Sequence, residues 1–123
     1  MANYSYWKIR SEVESQRDMT EARSALHEGK DKFFKADIPG AKALFEDGLG
    51  RLDRLVVKYP DLILEEELVE DVLKSLLMWQ YVLRLDGEEM PENFPLKPIW
   101  DASPDQRDEL DAAFQQKVNS SSM

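Results

Sequence analysis

Few side chains in this 123-residue chain are suited to chemistry, and their spacing decides what they could do. Cys is absent, which removes thiolate nucleophiles, Cys-ligated zinc and disulfides. His27 is the single histidine, and Ser24 lies three residues before it, so a helix would set both on one surface. An activated serine also needs oxyanion donors aimed at the reacting carbon, and a helix surface offers none. His27 therefore reads as a surface residue rather than a general base. The carboxylates are the other source of chemistry. Glu66 with Glu70, and Glu67 with Asp71, form i, i+4 pairs that could raise a pKa or share a cation. The Glu-x-x-His element of carboxylate metal bundles is missing, and Asp86-Gly87-Glu88-Glu89 lacks the alternating ligands of a calcium loop. The glycines, at 29, 40, 48, 50 and 87, are too scattered to cradle a phosphate. The expectation is a protein without catalytic residues, metal or cofactor. A carboxylate-based metal-binding bundle is the chemical alternative.

Composition narrows the partners. Asp and Glu number 25 against 16 Lys and Arg, a net charge of −9. Such a balance argues against nucleic acid and anionic membrane, which both attract a basic footprint. The charge is uneven along the chain: residues 1–59 hold 11 basic and 10 acidic side chains, residues 60–123 hold 5 and 15. The halves could complement each other within one fold or between copies. No apolar run approaches the roughly 20 residues of a membrane span, and Met1-Ala2-Asn3-Tyr4 opens no signal-peptide core. A cytoplasmic location without membrane insertion is the expectation.

The elements that must position these residues are helices. Tyr6, Ile9 and Val13, with Trp7 beside them, predict a short first helix. Asp18-x-x-Glu21 resembles a capping box, and Ala22, Ala25, Leu26, Gly29, Phe33 and Ala36 continue at helical steps, predicting a helix from about Met19 to Ala36. Asp37-Ile38-Pro39-Gly40 makes a break. A third helix then carries Ala41, Phe45, Gly48, Leu49, Leu52 and Leu55 and stops before Pro60. A fourth, from about Leu62 or Glu65 to Leu85, opens on acidic residues that suit a helix N-terminus. Pro91, Pro95 and Pro98 make Glu88–Ala102 an extended strap, held down by Phe94, Leu96, Ile99 and Trp100. The same packing discounts Pro95-Leu96-Lys97-Pro98 as a polyproline ligand. Ser103-Pro104 starts a last helix to about Val118, and residues 119–123 are expected to fray. The fold class is all-α, one domain of four to five helices over residues 1–123, with no strand.

Small residues at Gly29, Ala41 and Gly48 would let the second and third helices approach closely, with Phe33 and Phe45 filling the space beside them. Together with Ala36-Asp37-Ile38 at the turn and Leu49 after Gly48, this pattern resembles a tetratricopeptide (TPR) repeat over about 30 residues. Pro60 comes eleven residues after Leu49, later than the family places its proline, and no second repeat follows. A further similarity, to C-terminal parts of uncharacterised bacterial proteins, rests on Tyr6-Trp7-Lys8-Ile9-Arg10 and Glu92-Asn93-Phe94-Pro95-Leu96. The TPR resemblance implies protein–protein interaction, as an adaptor or scaffold, through a concave groove lined by first helices. The residues it would point into that groove are Arg23, His27, Lys30 and Phe34, where cations beside an aromatic could receive a carboxylate-bearing protein or peptide partner.

The fourth helix supplies the structural alternative. Leu76-Leu77-Met78-Trp79-Gln80-Tyr81-Val82-Leu83 is apolar nearly all round. Either it lies at the centre of the fold, or one stripe faces another chain and Met78, Tyr81 and Val82 pair two copies in a homodimer.

Overall fold

The structure, a computed structural model, describes the backbone of residues 2–121 and the side chains of residues 16–119. Its first element is longer than the periodicity suggested: α1 runs unbroken over Ala2–Phe34. Between Val13 and Met19 stand Glu14-Ser15-Gln16-Arg17-Asp18, with no Gly or Pro to force a break. The expected start at Asp18 is therefore interior helix. The Thr20 hydroxyl donates to the Gln16 carbonyl at 2.8 Å, and Arg17 pairs with Glu21 at 3.3 Å, both within the running helix. The side chains of Tyr6, Trp7, Ile9 and Val13 lie outside the described residues.

The α1 terminus is a Schellman closure. The Asp37 amide donates to the Lys32 carbonyl at 2.9 Å and the Ala36 amide to the Phe33 carbonyl at 3.0 Å. Ala36 takes φ 63° to allow it, a left-handed conformation that an L residue with a Cβ adopts at a cost. The chain turns at once into α2 (Ile38–Lys58), where the Asp37 carboxylate caps by accepting from the Gly40 amide at 3.1 Å. Pro39 sits in the first turn, where its missing N–H costs nothing.

Helices α1 and α2 form an antiparallel hairpin. Arg51 donates to Glu21 at 3.0 Å near one end, and Gly29 meets Leu44 and Phe45 near the other. The closest approach is at Gly48. A Cβ there would stand 2.7 Å from Leu26 Cδ2 and 3.0 Å from the Ala22 carbonyl oxygen. Gly50, two residues on, has open space, with Arg54 Nη1 at 3.8 Å as its nearest neighbour.

After α2 a 3-10 turn, Pro60–Leu64, leads into α3 (Glu66–Leu85). Of its three aliphatic residues Leu62 packs against the core, while Ile63 and Leu64 face outward. Helix α3 runs antiparallel to α2, since Lys42 at the start of α2 reaches Glu88 at 2.6 Å and Asp86 at 3.5 Å. It runs parallel to α1, since Arg23 pairs with Asp71 and Phe33 meets Tyr81 further along. These ion pairs join the basic first half of the chain to its acidic second half.

Helix α3 is the central helix. Leu68, Val72, Leu73, Leu76, Met78, Trp79, Val82 and Leu83 all join the core with Phe45, Leu49 and Leu52 of α2. Its apolar surface is buried within the fold along most of its length, with Leu85 at its end left exposed.

The Pro-rich segment is extended only in part. Residues 88–96 have no regular structure, but Lys97–Ala102 forms a short helix, α4, with Pro98 in its first turn. Proline stops a helix only from inside it, so its position here starts one. The strap crosses α2, where Asp53 Oδ1 accepts from the Leu96 amide at 3.0 Å, and both Leu96 and Ile99 are buried. Helix α5 (Pro104–Ser121) follows, longer than expected and continuing through residues 119–121. Its Phe114 packs among Phe33 and Tyr81, and Arg107 stacks on Trp100 with its Cζ 4.6 Å from the ring centroid. Among the described residues there are five α-helices, one 3-10 turn and no strand: an all-α fold.

Gly48→Ala should lower stability by about 1–3 kcal/mol through overpacking, although alanine alone would favour the helix by about 1 kcal/mol. Gly50→Ala should keep that propensity gain. Urea denaturation of the two variants separates close packing from propensity. Ala36→Gly should add about 0.5–1 kcal/mol, the relief of left-handed strain exceeding the added freedom of the unfolded chain. The same urea midpoints report it.

Candidate functional site

The four residues expected on the open face of α1 do share one site. Arg23, His27, Lys30 and Phe34 fall at steps of three and four along α1, and they line a groove of about 500 Å³. That volume lies within the roughly 300–1,000 Å³ usual for ligand pockets. The opposite wall is α3, through Asp71, Lys74, Ser75 and Met78. Helix α5 closes one side with Leu110, Phe114 and Lys117.

The floor is apolar. Leu26 and Phe45 come from the α1–α2 hairpin, and Leu77 and Met78 from α3. Phe34 stands at the rim, edge-on to Phe33 with ring centroids 5.1 Å apart, and the Lys117 ammonium lies 5.2 Å from its ring centroid. Phe34 keeps 38% of its surface exposed, so its outer edge remains available.

The rim is basic. Arg23, Lys30, Lys74 and Lys117 surround the groove against one carboxylate, Asp71. Asp71 is engaged by Arg23 at 3.3 Å, and Lys74 holds Glu70 at 3.0 Å. Lys30 has no ion pair within 4.0 Å among the described residues. Burial pushes its ammonium below the usual lysine range, and the charges of Lys117 and Lys74 push it the same way, while Asp31 acts in the opposite sense. Three helices thus bring three lysines together around an apolar floor, in a chain whose net charge is −9.

Other candidates fall differently. His27 Nε2 lies 4.0 Å from Asp31, and the side chain is 77% exposed, with no bond to Ser24. Of the paired carboxylates, Glu70 and Asp71 are tied to Lys74 and Arg23. Among the described residues no three metal-ligating side chains gather. The α3 stripe is not a surface: Met78 is 6% exposed, Val82 is fully buried, and half-buried Tyr81 packs edge-on to Phe33 and Phe114. A homodimer through Met78, Tyr81 and Val82 would require opening the core. No described helix is long and apolar enough to cross a membrane.

Sequence reasoning found the α1 wall of the groove because four residues on one helix face are visible as a period. It did not assign Lys74, Phe114 or Lys117 to the same site. Lys117 falls within the expected last helix, and no sequence signal places α5 against α1. Compared with protein-family models, curated proteins and solved structures, the chain finds no match.

Lys30→Met should raise stability near neutral pH. The sign follows from the lowered native pKa: the unfolded chain binds the proton more tightly, so the ammonium penalises folding wherever both states are protonated. As pH rises through the native pKa toward the unfolded value of 10.5, the wild-type chain should regain that stability and the variant's advantage should vanish. Urea midpoints at pH 7 and pH 10.5 measure both halves.

Proposed function

We propose that this chain is a non-catalytic recognition domain whose α1–α3–α5 groove binds a peptide segment bearing carboxylates beside aliphatic side chains. The observation that carries this reading is the charge inversion at the groove: a basic rim over an apolar floor in an acidic protein. Aliphatic side chains would displace water from Phe34, Leu110 and Phe114, which line the groove and keep part of their surface exposed. A carboxylate would meet Lys30, whose ammonium is partly desolvated and crowded by like charges, so the anion relieves a repulsion as well as forming a pair.

The TPR-like pattern of the α1–α2 hairpin supports the same reading, since that family uses first helices to line peptide grooves. Here α1 and α3 run parallel and present adjoining faces. The action is recognition without turnover, in the manner of an adaptor or scaffold.

A fluorescein-labelled octapeptide with two glutamates, two leucines and a free C-terminal carboxylate is a suitable probe for fluorescence polarisation. Binding should weaken at least tenfold in Lys30→Glu, and again on raising salt from about 50 to 500 mM, because the exposed charges are screened. A lysine-for-glutamate version of the peptide should not bind. Equal binding of the acidic and basic peptides would overturn the proposal.

A further inference from the structure

The chain itself carries a segment with the chemistry the groove calls for. The turn between α2 and α3 reads Ile63-Leu64-Glu65-Glu66-Glu67. Ile63 is 48% exposed and Leu64 is 77% exposed. Val57, 76% exposed, lies on the last turn and a half of α2, and these three make up most of the large apolar side chains left in water. Glu65, Glu66 and Glu67 are all exposed, and none holds a cation within 4.0 Å among the described residues.

The geometry of the turn explains the display. Its three-residue period anchors Leu62 on the core and leaves the next two aliphatics outside. The Glu65 amide donates to the Leu62 carbonyl at 3.1 Å, and the Val69 amide to the Glu65 carbonyl at 3.0 Å, so the tip is held between two helices. It is too short and too firmly anchored to fold back into the groove of its own chain. Adjacent aliphatics next to three carboxylates match an apolar floor ringed by Arg23, Lys30, Lys74 and Lys117. Two exposed surfaces of one molecule are thus complementary in both charge and polarity.

We infer that the groove of one copy receives the Ile63–Glu67 tip of a second copy, so that the chain self-associates tip into groove. This rests on the groove reading above and names its occupant. Leu64 and Ile63 enter against Phe34, Leu110 and Phe114, and the glutamates face the lysines. The contact is small beside the roughly 1,600 Å² of a standard stable interface, so association is weak and depends on concentration and salt. The two surfaces differ, and each copy keeps one of each, which lets contacts repeat from copy to copy.

Sedimentation equilibrium from about 10 μM to 1 mM tests this on the full chain. At low salt the average mass should climb above 14.3 kDa with concentration and return to it at high salt. Two double variants separate the surfaces: Ile63→Asn with Leu64→Asn at the tip, and Lys30→Glu with Lys74→Glu in the groove. All four side chains are exposed, so both variants should stay folded, which a cooperative melt of each checks. Each alone should associate at least tenfold more weakly. Mixed in equal amounts they should recover a complex of twice the monomer mass, because one supplies an intact groove and the other an intact tip. A wild-type chain that stays monomeric at 1 mM, association untouched by either variant, or a mixture that does not recover would each overturn the inference. The acidic octapeptide distinguishes the two readings: if it binds a strictly monomeric chain, self-docking fails and the groove's specificity stands, whereas if it does not bind, the groove reading itself is lost.

Discussion

Everything else in this fold depends on how near α2 can come to α1, and that distance is set at Gly48. No side chain stands between the α2 backbone and Ala22 or Leu26, and the Ala22 carbonyl lies where a Cβ would already be tight. Ala22 itself is fully buried. The close crossing lets Phe45 and Leu49 reach past it and form a wall on which α3 lies. With a wider hairpin, α3 would have no continuous apolar bed. Its own surface, apolar nearly all round, could not then be covered by a chain of this length.

The position of α3 decides the electrostatics. Because α3 runs parallel to α1, the pair Arg23–Asp71 closes one end of the shared face and leaves Lys30 opposite Lys74. Helix α5 adds Lys117 to the same place. Asp71 and Glu70 answer Arg23 and Lys74 there, while other carboxylates pair away from the groove: Asp47 and Glu21 with Arg51, Asp86 and Glu88 with Lys42. The hydrogen bonds from Lys42 to Glu88 and from Arg51 to Asp47 hold both cations above their usual pKa values, the reverse of what burial and crowding do to Lys30. Lys42 and Arg51 thus hold carboxylates away from the groove, while its rim gathers Arg23, Lys30, Lys74 and Lys117 around Asp71.

The C-terminal third acts as a brace for this arrangement. Asp53 catches the Leu96 amide where the strap crosses α2, and the buried Leu96 and Ile99 fix its path. That path delivers α5 to the groove side, where Phe114 fits between Phe33 and Tyr81. The strap is thus what turns a two-sided trough between α1 and α3 into a three-sided groove. Leu96 and Ala36 both take φ 63° though neither is a glycine: burial holds Leu96 there, and the hydrogen bonds that close α1 hold the exposed Ala36.

The sequence by itself determined the helical class, the Asp37-Ile38-Pro39-Gly40 turn, the stop before Pro60, the small residues at the hairpin crossing and the face carrying Arg23, His27, Lys30 and Phe34. These are local or periodic properties: a helix repeats its face every three to four residues, and proline and glycine act on their own backbone. Local signals also misled. Asp18-x-x-Glu21 looks like a helix start but cannot act as one when nothing upstream ends the preceding helix, and Pro98 opens a helix in a stretch read as extended. Only the tertiary structure decided that Met78 and Val82 are core rather than interface, that Ile63 and Leu64 are left outside, and that Lys74 and Lys117 join Lys30. Each of those outcomes depends on which helix lies beside which across long stretches of chain. That choice is made by close packing at Gly48 and by the route of the strap, and no window of neighbouring residues contains it.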